Sequence, residues 1–464
     1  MGAVRLFNTL TRKKEVFRSI TKGKGRMYSC GPTVYWYQHI GNMRTYIFSD
    51  ILRRVLTYNG FQVTQVMNVT DVGHLTSDAD EGEDKIEKAA QREGKKAEEI
   101  AAFYLKVFRA DMQKSNIIEP NIWCKASEHI KEQIALIEKL EKRGFTYRTS
   151  DGIYFDSSRF KNYGKFARLN KQGLKAGKRI AVGEKKNPTD FALWKFSRKG
   201  EKRQQEWDSP WGIGFPGWHI ECSAMAMKYL GGHFDLHTGG EDHIQIHHQN
   251  EIAQSESVTK KKFVNYWLHG AFLLDKTGEK VSKSQGGLYT LSDLEEKGYH
   301  PLHFRYLCLL THYRKSLTFS FEHLDASKNA YEHLKRRVIA LRQNHRENRN
   351  DKGSEFEKSF LAAINDDLNI PVALQVAWKV LDSSLSTDRK IQLMEKFDTI
   401  FGLNIPLMVE KEAIVSEEIR VLINEREKLR KQKMWDKADL LRKKIREKGY
   451  VLEDTPAGVR VVRV

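Results

Sequence analysis

The chain has 464 residues but only four cysteines: Cys30, Cys124, Cys222 and Cys308. They are far apart and none belongs to a C-x-x-C pair. That excludes a disulfide framework and fits a reducing, cytoplasmic compartment. Any metal site must then be assembled from distant segments with mixed ligands. No apolar run is long enough to span a bilayer, so no membrane partner is expected. The opening MGAVRLFNTLTRKKEVF lacks the unbroken apolar core of a secretory signal, and Leu6 spoils the match to a myristoylation site. There is no G-x-x-x-x-G-K-[ST], which removes the main support for a P-loop. Acidic residues are outnumbered: Lys and Arg total 79 against 60 for Asp and Glu, a net charge of +19. Such an excess favours a polyanionic partner.

What is present reads as a soluble globular chain long enough for two or three domains. Arg26 to Cys30 reads as a short strand, followed by the loop GPTVYWYQHIGN. In MRTYIFSDILRRVLTYNG, Ile47, Ile51 and Val55 recur at spacing four beside Phe48 and Leu52, and Gly60 ends the run. This predicts an amphipathic helix. FQVTQVMNV, Phe61 to Val69, is rich in β-formers. Strand, helix and strand in succession make a βαβ unit and imply a parallel sheet with a right-handed crossover. The acidic SDADEGEDK reads as a solvated loop, and helical pattern resumes through KAEEIAAFYLKVFRADMQKSN.

Between about Pro120 and Ser209 the pattern changes. The helix ASEHIKEQIALIEKLEKRG is followed by short β-like pieces such as GIYFD and by a basic loop. This reads as an insertion between two halves of the sheet domain. Alternating strand and helix return with DSPWGIGFPGWHIECSAMAMKYLGGHFDLHTGGEDH. Beyond Phe321 helices dominate, and two charged helices and a β-like tail close the chain.

Two segments carry nucleotide chemistry. HIGN, His39 to Asn42, stands at the mouth of the βαβ unit, where Gly41 lets backbone N–H groups approach a phosphate and the helix dipole favours negative charge. DKTGEKVSKSQGG places Lys280, Ser282, Lys283 and Ser284 in a glycine-flanked polar loop. Two lysines there can neutralise charge developing on a triphosphate. A third constellation could hold a metal. His247 and Glu251 are four apart and share a helix face, and with Cys222 and Cys30 they offer donors of the types that zinc accepts. Spacing alone leaves His233, His237, His243 and His248 as rival ligands.

HIGN near the amino end and KVSKS past mid-chain resemble the two signatures of the class I aminoacyl-tRNA synthetases. Asn42 stands where the second His is usual and Val281 where Met is usual. MYSCGPTVY, NVTDV, DFALWK, PGWHIECSAM, HTGGEDHIQIHHQNEIAQS, KVSKS and HYRKSLTFSFE together, in order, resemble the cysteinyl-tRNA synthetases over nearly the whole chain. The resemblance implies an α/β fold. It consists of a Rossmann-like parallel-sheet catalytic domain (1–119 and 210–275) with an inserted α+β subdomain (120–209). The KVSKS loop and stem-contact region (276–320), a helical bundle (321–405) and a small anticodon-binding module (415–464) follow. It also selects the zinc ligands, Cys30, Cys222, His247 and Glu251, and no rival histidine.

Further roles follow from the same resemblance. The substrates are L-cysteine, ATP with Mg2+, and tRNA(Cys), and a monomer is expected. His39, Asn42, Lys280 and Lys283 act on phosphate charge, Gly41, Gly239 and Gly240 admit the nucleotide, and Asp242 meets ribose hydroxyls. Cys30, Thr70 and Trp218 surround the amino acid. Arg430, Trp435, Asp439 and Asp454 contact tRNA. The chemistry is coherent, since a soft thiolate binds zinc far better than the hydroxyl of serine. Selection by the metal leaves no need for a second, editing site.

Overall fold

The βαβ pattern at the amino end is the centre of the fold. After an antiparallel ribbon of β1 (Arg5–Asn8) and β2 (Lys13–Val16) come β3 (Lys24–Ser29), α1 (Ile40–Tyr58) and β4 (Gln62–Val69). Helix α1 buries Ile47, Ile51, Leu52 and Val55, the stripe read from spacing, and the chain leaves it through Gly60 at φ +86°. A left-handed residue at this point suits glycine. Helices α2 (Lys85–Glu93) and α3 (Ala97–Lys114) lead to β5 (Ile122–Lys125). Next come α4 (Ile130–Lys142), β6 (Thr146–Arg148), β7 (Gly152–Phe155), β8 (Phe191–Phe196) and β9 (Gly214–Pro216). Helix α5 (Trp218–Leu230), β10 (Phe234–Gly240), α6 (His247–Thr259) and β11 (Val264–Gly270) complete the second half. This computed structural model describes residues 2–72, 84–169, 184–197, 203–279, 289–343, 353–409, 416–455 and 458–463.

Five strands form one parallel sheet in the order β11-β10-β3-β4-β5. From β3 the chain winds outward through β4 and β5, then returns to the other side of β3 with β10 and β11. The order therefore reverses between β3 and β10, and ligands of open α/β sheets bind at the carboxyl ends flanking such a reversal. Cys30 directly follows β3, and Gly240 ends β10.

The insertion boundaries expected at 120 and 209 are both displaced. Strand β5 pairs parallel with β4 and so belongs to the catalytic sheet, although it lies beyond residue 120. Strand β9 lies beyond residue 209 but pairs antiparallel with β8, in the separate sheet β6-β7-β8-β9. Helix α4 and that sheet share one apolar core with α5: Ile137, Leu140, Phe155, Phe191, Trp194, Ile220 and Ala224 are among its buried members. The insertion is thus packed into the catalytic core. The acidic stretch from Ser77 and the basic loop from Leu169 lie largely outside the described residues.

Strand β12 (Leu273–Leu274), α7 (Leu291–Glu296), α8 (Pro301–Leu309) and β13 (Leu317–Thr318) lead to the helices α9 (Phe321–Gln343), α10 (Ser354–Asn365), α11 (Ile370–Asp382) and α12 (Thr387–Phe401). Buried Arg305 ties α8 to α1 and to the end of α12. Its Nη2 lies 2.6 Å from Asp50 Oδ2, and its Nε donates to the Phe401 carbonyl at 2.6 Å. Residues Met1–Ile405 form one compact unit and Pro406–Val464 a second. In the second, α13 (Glu417–Lys431), α14 (Trp435–Glu447) and the hairpin of β14 (Tyr450–Thr455) and β15 (Gly458–Arg463) enclose a small core of Ile419, Ile445 and Leu452.

Candidate active site

A cleft with about 850 Å³ of empty space opens at the β3/β10 reversal. Cys30, His39, Asn42, Gly240, Asp242 and His243 are among its walls, so one cavity carries residues from both halves of the sheet.

The HIGN segment forms the amino end of α1, and its side chains cap that helix. Gly41 N–H donates to His39 Nδ1 at 3.1 Å, and His39 N–H donates to Asn42 Oδ1 at 3.3 Å. This is a capping box built from His and Asn. A backbone N–H can only donate, so both contacts fix orientation. His39 Nδ1 must hold a lone pair, which puts the proton of the neutral ring on Nε2. Asn42 must turn its oxygen to the backbone, which points its NH2 away from it. In both residues the cap uses the acceptor, and the donor is not part of it. On the same helix end, Ile40 N–H donates to the Tyr289 carbonyl at 2.8 Å, and His39 bridges to Thr290. The chain thus comes back from segment 280–288 directly beside His39. Lys280, Ser282, Lys283 and Ser284 themselves lie outside the described residues.

Behind Cys30 lies a buried cluster. One ligand atom each from Cys30, Cys222, His247 and Glu251 fall within 4.8 Å of one another. Cys30 stands just past the end of β3, α5 presents Cys222, and the first turn of α6 presents His247 with Glu251 one turn on. Glu251 Oε1 sits 3.0 Å from His247 Nε2 without hydrogen-bond geometry, while its Oε2 meets His237 Nε2 at 3.0 Å. Four donor atoms converging on one point, with Glu251 Oε1 left without a hydrogen bond, are the arrangement a shared cation needs. A second set, Cys30, His237, His248 and Glu251, meets the same distance limit, and His248 Nε2 lies 3.2 Å from Cys30 Sγ. The geometry alone therefore keeps two of the four rival histidines in play.

The first set is a tightly coupled group of charges. The Cys30 thiol donating to Cys222, with the His247 ring beside it, draws Cys222 down to about 6 against its burial. Burial opposes charge on His247, but Glu251 and Cys222 outweigh it and lift His247 to about 10. Burial likewise works against Glu251, yet His237 and His247 hold it at about 2. His248 is driven well below its ordinary value by burial and by its histidine neighbours, so it stays neutral. Its Nδ1 meets His269 Nε2 at 2.7 Å, which gives it a packing partner away from the cluster.

The other expected site residues fall into three groups. Trp218 stacks on the His247 ring with centroids 4.6 Å apart and planes 2° from parallel, so it orients a candidate ligand. Thr70 is buried; its N–H donates to the Pro32 carbonyl at 3.0 Å and its Oγ1 accepts from Asn68 at 3.1 Å. Gly239 has no room for a side chain because a Cβ there would meet His243 Nδ1 at 2.6 Å and His248 Cε1 at 2.8 Å. In the second unit, Arg430 is on α13, Trp435 and Asp439 are on α14, and Trp435 is 55% exposed. Asp454 pairs with Val459 in the hairpin, and its side chain lies outside the described residues.

Sequence reading missed Thr45, Tyr46 and Lys85, which also line the cleft. Thr45 and Tyr46 lie one turn after Asn42 on the already predicted helix, and that spacing could have found them. It also missed the aromatic wall of Tyr35, Trp36 and Tyr37. GIGFPG, Gly212 to Gly217, matches the dinucleotide fingerprint letter for letter. It is instead the edge of an antiparallel strand, where a Cβ on Gly214 would meet the Lys195 carbonyl oxygen at 2.0 Å.

Solved structures share this architecture. Mycobacterium tuberculosis methionyl-tRNA synthetase in complex with methionyl-adenylate aligns over 83% of this chain and 88% of that one, with TM-score 0.57 at 14% identity. The ternary complex of Agrobacterium radiobacter LeuRS with tRNA aligns over 84% and 85%, with TM-score 0.58 at 11% identity. The fold is that of a class I aminoacyl-tRNA synthetase. The model of the tRNA synthetases class I (C) catalytic domain matches residues 16–329. Cysteine–tRNA ligase 1 of Burkholderia lata is 49% identical over 98% of this chain and 96% of its own length. Cysteine–tRNA ligase of Treponema denticola is 44% identical over 97% and 98%. The chain belongs to the cysteine–tRNA ligases, which activate cysteine with ATP and join it to tRNA.

Proposed function

We propose that the Cys30, Cys222, His247 and Glu251 cluster holds a zinc ion and that this centre selects cysteine. The observation that carries the reading is the convergence of those four donors within 4.8 Å, with Cys30 among the cleft walls. Bound zinc would supply a soft Lewis acid that prefers the substrate thiolate to a serine hydroxyl. Trp218 holds the His247 ring in place, and Cys30, the one ligand among the cleft walls, is where the cluster meets the substrate. Thr70 closes the amino acid side from behind.

The nucleotide lies at the other end of the cleft. His39 Nε2–H and the Asn42 amide donate to the phosphates as the cysteine carboxylate attacks the α-phosphorus and pyrophosphate leaves. Gly41, Gly239 and Gly240 keep backbone close to the nucleotide, and Asp242 accepts from ribose hydroxyls. Lys280 and Lys283 neutralise the pyrophosphate together with Mg2+. The return of the chain at Tyr289 beside His39 supports that placement. A terminal ribose hydroxyl of tRNA(Cys) then takes the cysteinyl group from the adenylate. Positioning and fixed donors do most of this work. Arg430, Trp435, Asp439 and Asp454 on the second unit contact the tRNA. The enzyme acts as a cytoplasmic monomer, and no described helix is long and apolar enough to cross a membrane.

ATP–pyrophosphate exchange tested with every amino acid checks the reading. Cysteine alone should stimulate it, and equal stimulation by serine would sink the proposal.

A further inference from the structure

The aromatic wall of the cleft continues outward onto the surface. Tyr37 lines the cleft and is 37% exposed, and Phe103 on α3 is 42% exposed. Their ring centroids are 6.4 Å apart, and Tyr104 stands edge-on to both, at 5.1 Å from each. Large exposed rings are uncommon singly and more informative as a contiguous group.

Cations edge this group. Lys95 Nζ lies 5.3 Å from the Phe103 centroid, and the Arg92 guanidinium lies 4.3 Å from that of Trp36. Glu93 fixes both cations, with Arg92 Nη2 at 2.9 Å and Lys95 Nζ at 3.3 Å, and it accepts from Tyr104 at 2.8 Å. At the rings themselves, two cations stand against this one carboxylate. Lys85 Nζ, 5.7 Å from the Tyr35 centroid, is a third cation at the wall.

We infer that Tyr37 and Phe103 form a stacking platform for the unpaired 3′ nucleotides of the tRNA. The inference rests on the reading of the cleft as the site of adenylate formation. The terminal ribose must enter that cleft, so the nucleotides behind it leave across the rim. Exposed rings with cations at their edges suit single-stranded RNA, because every base offers a π-face and every linkage a negative phosphate. An apolar protein partner would be served poorly by a rim of charge.

The test uses the full enzyme with Tyr37→Ala, Phe103→Ala and Phe103→Tyr. Cysteine-dependent pyrophosphate exchange in the absence of tRNA should stay at the unmodified level in both Phe103 variants, whose ring lies outside the cleft walls. Each alanine variant should raise the KM for tRNA in aminoacylation, on the order of 5-fold to 100-fold. Phe103→Tyr, which keeps a ring, should restore the unmodified value. A tRNA shortened by its unpaired 3′ nucleotides should inhibit competitively with the same Ki against every variant. A raised Ki for the shortened tRNA would place these rings against another part of the RNA and overturn the inference. So would unchanged charging by both alanine variants, which would leave the patch to a protein partner. Loss of exchange in Phe103→Ala would make that ring structural and also overturn the inference. If the unmodified enzyme gives no cysteine-dependent exchange, the reading of the cleft fails instead.

Discussion

Asn42 has two roles that one substitution separates. Its Oδ1 accepts the His39 N–H at 3.3 Å, which turns its amide NH2 away from that bond, and the residue lines the cleft. The capping contact is long, so its loss should cost about 1 kcal/mol or less. The amide is worth more if it donates to the phosphates during adenylate formation. Removing one fixed donor from a transition state that gathers negative charge lowers rates on the order of 100-fold to 1000-fold. Asn42→Asp keeps an acceptor for the His39 N–H, and a carboxylate in the first turn agrees with the helix dipole. It loses both amide donors and sets a negative charge against the phosphates. Cysteine-dependent pyrophosphate exchange should therefore fall at least about 100-fold, while the thermal midpoint and zinc content stay unchanged. Asn42→Ala should show a similar kinetic loss with a slightly lower midpoint. Asn42→Asp retaining more than about a tenth of the rate would show that the amide does not act on the phosphates, and that the residue serves the helix cap alone.

Three further outcomes follow from the fold. Arg305→Leu strands the buried Asp50 carboxylate with Arg54 and the Ile118 N–H as its remaining partners. Breaking a buried pair in this way should cost about 3–5 kcal/mol, read as a lower urea midpoint, and a loss under about 1 kcal/mol would be inconsistent. Burial, with a smaller push from Glu295 and against the pull of Lys114, raises the Asp111 carboxyl to about 6. The folded chain then holds this proton more tightly than the unfolded one, so stability from this group is lost as pH rises from about 4 to about 6. Asp111→Asn should stabilise the protein by about 3 kcal/mol at neutral pH and by almost nothing below about pH 4; a gain that does not depend on pH would contradict the assignment. Deleting 406–464, the second compact unit, should spare pyrophosphate exchange and impair aminoacylation, whereas equal loss of both would make that unit a structural support.

Long periodic elements were legible in the sequence. The Ile47, Ile51 and Val55 spacing located α1, and the β-rich run after Gly60 located β4. Short strands were not legible. Strands β5 and β9 have four and three residues, too few for a period, and only their pairing partners assign them to a sheet. The metal cluster was legible as a list of donors, but its membership was not. Spacing left four rival histidines, and folding brings His237 and His248 within the same distance limit as His247, because side chains of β10 and α6 meet there. The contacts that distinguish the rings, Trp218 stacked on His247 and His269 bonded to His248, exist only in the folded chain. Trp218 stacking on His247 and Arg305 reaching Asp50 depend on contacts 29 and 255 residues apart in sequence, beyond any local pattern.

Zinc content and amino acid selectivity, measured together in unmodified enzyme and in Cys222→Ser, test the central claim most directly. The account predicts one zinc per chain and exchange strongly favouring cysteine over serine in the unmodified enzyme. In Cys222→Ser, zinc and that preference should fall together. A zinc-free variant that still prefers cysteine as strongly would contradict selection by the metal.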